Sequence, residues 1–150
     1  MTATYTQILT ELASHLGMPA QQLLEQQQAT FERIAVFFQP DASEGEQHIV
    51  LCSALGEIEE KSAPQVMRNL LQANHLWTGT GGGVLGLSAQ GDTVTWCMQI
   101  PLHQLDGQTL FALLSEFVEL GSAWAAYLGE LTPRIQAAES SASMAMFVRA

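Results

Sequence analysis

Apolar side chains recur at three- and four-residue steps near the start of the chain. Tyr5, Ile8, Leu9, Leu12, Ala13 and Leu16 fall on one face of a helix over residues 4–17. Thr4 suits its N-cap, and Gly17 followed by Pro19 suits its end. Residues 20–28 are permissive for a helix without the pattern deciding it. From Ala29 the period changes to two. Ile34, Val36 and Phe38 alternate with Arg33, Ala35 and Phe37, as in a strand. The polar segment 40–47 reads as a turn, residues 48–52 resume strand character, and residues 55–58 read as a short third strand. Pro64 fits the first turn of a second helix carrying Val66, Met67, Leu70, Leu71 and Asn74. The glycine-rich run 79–83 interrupts the chain. Residues 84–87 and 93–100 then read as two strands joined by a hairpin loop, and Pro101 ends the second. Asp106 suits the N-cap of a last long helix with Leu110, Leu113, Leu114, Phe117, Val118, Leu120, Trp124 and Leu128, closed at Pro133.

The expected order is α-β-β-β-α-β-β-α. This is a single α+β domain over residues 1–133, an antiparallel sheet packed with helices, and then a small, polar tail at 134–150 expected to be mobile. No internal repeat or dividing linker interrupts it.

Composition narrows the function. Of 150 residues, 47% are apolar and 13% charged, with a net charge of −10. An acidic chain without a clustered positive face is a poor partner for nucleic acid or an anionic membrane surface. Low charge with high apolar content is not the composition of disorder. No basic residue precedes Arg33, so the pattern of a secretory leader is missing, and no run approaches the 18 or so consecutive apolar residues of a bilayer span. The expectation is a cytoplasmic protein with excess apolar surface for a partner to cover. Cys52 and Cys97, each in strand-like surroundings, read first as small buried hydrophobes of a reducing compartment, with a disulfide between them as the less favoured alternative.

Candidate chemistry is sparse. The glycine run follows a helix and opens a strand, with no Lys or Arg from 69 to 133, so it lacks the context of a phosphate loop. Gly86 to Gly91 around Ser88 is one residue too long for a nucleophile elbow. His15, His48, His75 and His103 form no metal-ligand spacing. Cys97 with His103 lacks a third member, and Glu57, Glu59 and Glu60 beside Lys61 read as a solvated loop. No catalytic residue, cofactor site or metal site is assigned, and the chain is not expected to be an enzyme. The strand with Ile34, Val36, Phe37 and Phe38 is different: it carries large apolar groups on both faces. One face must be covered by the first helix or by a partner.

At this point the sequence resembles the class I chaperones of type III secretion, the Tir chaperone (CesT) family. The resemblance rests on Leu70-Leu71 and Asn74 ending a helix, then Gly82-Gly83-Val84-Leu85-Gly86-Leu87, Gly91, and a strand leaving through Ile100-Pro101-Leu102. It continues through Leu105-Asp106 to Leu110, Leu114, Phe117-Val118 and Trp124. It implies a cytoplasmic homodimer that uses no nucleotide. Such a protein holds the N-terminal region of one or a few secreted effectors in extended, soluble form. For the effector groove it suggests Ile8, Leu9, Leu12 and Leu16 of the first helix with Ile34, Val36, Phe38, Ile49 and Leu51 of the first strands. For the dimer interface it suggests Val66, Met67, Leu70 and Trp96. Core packing competes at every one of these positions. Asn74 is expected to cap its own helix against the following turn, and Phe117 and Trp124 to be core. Two other functions stay open: a regulatory or structural subunit binding a folded partner, and a small ligand-binding domain.

Overall fold

The computed structural model describes residues 3–41 and 47–131. The tail at 134–150 and most of the turn expected at 40–47 lie outside these residues. Helix α1 (Tyr5–Leu16) starts at a capping box, in which Thr4 and Gln7 bond each other's backbone N–H groups. It ends at Gly17, whose φ of 68° is the left-handed conformation glycine favours. A short α2 (Ala20–Gln26) follows, burying only Leu23. Strands β1 (Gln28–Phe31), β2 (Ile34–Asp41) and β3 (His48–Glu57) form a meander. Helix α3 (Ala63–Asn74), strands β4 (Val84–Leu87) and β5 (Thr93–Pro101), and helix α4 (Gly107–Leu131) complete the order.

The five strands pair antiparallel in the order β1-β2-β3-β5-β4. The expected strand at 55–58 is instead the far end of β3, which continues past an irregularity between Ala54 and Gly56. The fifth strand is β1, too short and too polar to show an alternation. β2 runs through Pro40, paired with Ile49, at a point where β1 has ended at Gln28 opposite Phe37. Such a position tolerates a missing N–H.

The helices cover one face of the sheet. Ile34, Val36 and Phe38 of β2, Ile49, Leu51 and Leu55 of β3, and Val94 and Trp96 of β5 meet Ile8, Leu9 and Leu12 of α1 and Leu110, Leu114, Phe117 and Leu128 of α4. Trp96 stacks on Phe117 with ring centroids 5.0 Å apart and donates to the Phe117 carbonyl at 3.1 Å. α4 can lie this close to the sheet because residue 121 is glycine: a Cβ there would stand 2.9 Å from both Ile34 and Trp96. Among the described residues, α4 contains the one helical stretch apolar and long enough by composition to cross a membrane, with mean hydropathy 1.2. It buries Leu110, Leu114, Phe117 and Leu128 in this core and leaves Phe111 exposed. The opposite face of the sheet holds a smaller cluster, Cys52 and Ala54 with Phe37, Val50 and Cys97 around them.

Candidate interaction surfaces

Helix α3 has two neighbouring apolar stripes. Val66, Leu70 and Ala73 turn inward and are buried. Met67 and Leu71, one position on and four apart, turn outward. The turn after α3 then does something costly. Leu76 and Trp77 both adopt positive φ, 52° and 57°, a conformation bulky residues rarely accept. It projects both side chains into solvent. The segment is held by the Gly79 N–H, which donates to the Ala73 carbonyl at 2.9 Å. The Thr78 hydroxyl also donates to the His75 carbonyl at 3.0 Å. Met67, Leu71, Leu76, Trp77 and Val84 of β4 are 40, 71, 72, 60 and 56% exposed. These are large apolar groups on consecutive elements at one edge of the sheet.

The glycine run serves this geometry. Gly81 and Gly82 take φ of 55° and 98°. Gly83 leaves room for the indole of Trp96, which would stand 2.5 Å from a Cβ at that position. Trp124 donates to the Gly79 carbonyl at 3.1 Å and pins the run to α4. Asn74 is not a local cap. Its side chain donates to the Leu85 carbonyl at 2.8 Å and accepts from the Leu85 N–H at 3.0 Å. It thus acts as a one-residue strand partner and docks the end of α3 on β4. Beside it Asn69 bonds the Tyr127 hydroxyl.

The second surface lies at the other sheet edge. A groove of about 630 Å³ runs between Leu16, Met18, Gln22 and Gln26 on one side and β1 on the other. A second hollow of about 500 Å³ is bounded by Leu16, Phe31, Phe111, Leu114 and Val118. Leu16 and Phe31 border both. Glu32 and Glu119 add acidic rims, and His15 stacks on Phe111 with centroids 5.5 Å apart. The strand on this side, β1, is an outer strand with one open edge. Tyr5 anchors the adjoining α1: its hydroxyl donates to the Phe38 carbonyl at 2.9 Å. Burial pushes the phenol up to about 12, a shift the Gln27 amide opposes.

The sequence-expected residues divide accordingly. Ile8, Leu9, Leu12, Ile34, Val36, Phe38, Ile49 and Leu51 are buried in the protomer core, because α1 and α4 cover the inner face of the sheet. Of the effector-groove set, Leu16 lies on the groove itself. Of the dimer set, Val66, Leu70 and Trp96 are buried and Met67 is exposed. No sequence signal for a surface marks Leu76, Trp77 or Val84. The four-residue spacing of Met67 and Leu71 is the one sequence signal that marks that stripe. Cys97 faces Cys52, and the His103 ring lies against the Gln104 amide. Among the described residues no group of three or more His, Cys, Asp and Glu side chains is placed to hold a metal ion.

A one-layer sheet with helices on one face and apolar surface displayed at both edges defines a class of small α+β proteins that offer themselves to other chains. The chain belongs to the Tir chaperone protein (CesT) family, whose family model matches residues 7–125. Its fold is similar to a chain of the ExsC–ExsE complex, with a TM-score of 0.68 and 20% identity over 85% of this chain and 96% of that one. It is also similar to a chain of the HopA1–SchA chaperone–effector complex, with a TM-score of 0.53 and 14% identity over 81% of this chain and 93% of that one. No curated protein matches by sequence.

Proposed function

We propose that this protein is a cytoplasmic type III secretion chaperone that works as a homodimer and holds the N-terminal region of a secreted effector in extended, secretion-competent form. The observation that carries the reading is the presence of two separate apolar surfaces on the fold of this chaperone family. One suits a second copy: Met67, Leu71, Leu76, Trp77 and Val84 are exposed apolar residues on α3, the turn after it and β4, and an aromatic such as Trp77 is the kind of residue that dominates interface energetics. The other suits a client. An extended segment adds a strand to the open edge of β1 and sets alternate side chains against Leu16, Phe31 and Phe111. The net charge of −10 keeps a protein with such surfaces soluble.

The test is co-expression with N-terminal regions of secreted proteins from the same genome, beginning with the neighbouring reading frame. The expected result is a co-purifying fragment that shows no folded core of its own. Phe31→Asp is expected to lose the fragment while the chaperone stays dimeric. Retention of the fragment by that variant would move the client site elsewhere on the molecule.

A further inference from the structure

Cys52 on β3 and Cys97 on β5 are directly opposite in the antiparallel register. Directly opposed residues point to the same face of a sheet. Their Cα atoms lie about 4.5–5.5 Å apart in either kind of antiparallel pair, inside the roughly 4.4–6.8 Å that a disulfide spans. Both are free thiols, and the sulfurs already stand 3.2 Å apart. The pair sits in the middle of a row that crosses the sheet: Phe37 of β2 opposes Cys52, and Val84 of β4 opposes Cys97. Cys52 is buried and Cys97 part-exposed, so a reagent reaches Cys97 first.

We propose that Cys52 and Cys97 form a reversible intramolecular disulfide in response to low-molecular-weight disulfides such as oxidised glutathione. The Cys97 thiolate attacks one sulfur of the small disulfide, forming a mixed disulfide and releasing one small thiolate. Cys52 then gives up its proton and attacks the Cys97 sulfur, expelling the second thiolate. Two electrons and two protons pass from the protein to the reagent, which leaves as two thiols. The order of attack agrees with the acidities. The hydrogen bond between the two sulfurs holds the Cys97 thiol below its ordinary value against the effect of burial. The same bond, together with burial, pushes Cys52 up. The product links positions 45 apart in sequence and so constrains the unfolded chain. The inference rests on the sheet register, the sulfur separation and the part exposure of Cys97, and uses no part of the client-binding reading.

The test exposes the native full chain to a series of reduced-to-oxidised glutathione ratios, quenches in acid, alkylates, and weighs the intact protein and its peptides. The expected result is joint loss of both thiols, a Cys52–Cys97 peptide link, no retained glutathione, reversal by excess thiol, and a higher Tm for the oxidised chain. Cys52→Ser is expected to stop at a glutathione adduct on Cys97. Wild-type chain that keeps both thiols where a small dithiol is oxidised, holds glutathione without closing, or links through Cys97 between chains would overturn the proposal. The wild-type peptide map decides the matter even if the variant fails to fold.

Discussion

Asn74 shows how much one polar side chain can fix. It satisfies both the N–H and the carbonyl of Leu85, a residue that is itself buried. Asn74→Ala leaves both groups without that partner, and the expected loss is about 1–3 kcal/mol of stability. Urea unfolding measures it as a lower midpoint with an unchanged slope. Gly83→Ala acts by a different route, since its methyl meets the rigid indole of a fully buried Trp96. Overpacking of this kind costs about 1–3 kcal/mol, and Trp96 fluorescence should shift with it. Tyr5 carries a pH signature. Its phenol titrates at about 12 in the fold against 10.0 ordinarily, so between those values the unfolded chain has released a proton the folded chain retains. Its contribution is full below pH 10 and is lost as the pH rises towards 12. Tyr5→Phe removes that part of the alkaline dependence and the bond to the Phe38 carbonyl. An unchanged alkaline unfolding curve would contradict this role for Tyr5.

At the scale of elements, α3 and the turn after it form the surface assigned to a second copy. Leu71→Glu together with Trp77→Glu places two charges in that patch. The dimer is expected to weaken by about 30-fold or more, the effect of losing a central aromatic anchor, as read by sedimentation over a concentration series. The residues of this patch were only half legible in the sequence. Val66, Met67, Leu70 and Leu71 give a helix two adjacent apolar stripes, and periodicity cannot say which of them meets β4. The structure turns Val66 and Leu70 inward and leaves Met67 and Leu71 outside. Leu76 and Trp77 reach the surface through positive φ, which no propensity of Leu or Trp foretells. Elements with a strong period were legible: α1, β2, β5 and α4 stand close to where alternation and caps set them. β1 and α2 were not, because four half-polar residues and a glutamine-rich turn of helix carry no period of their own. They exist because β2 and α1 offer them a partner.

The whole molecule explains why the expected effector-groove residues fell largely in the core. An α+β sheet with helices on one face must bury Ile34, Val36, Phe38, Ile49 and Leu51 under α1 and α4. The proposed client surface is the rim of that packing, where Leu16, Phe31 and Phe111 lie beside the outer strand β1. Variants separate the two roles: Ile8→Asp or Phe38→Asp is expected to unfold the protein, whereas Leu16→Asp is expected to spare the fold and weaken client capture. Light scattering on the chaperone co-purified with an effector N-terminal region tests the dimer and its extended client together. The expected mass equals two copies of this chain plus the bound fragment, with the fragment protease-sensitive once released. A monomeric chain that captures no such fragment, or binds it only when folded, would contradict it.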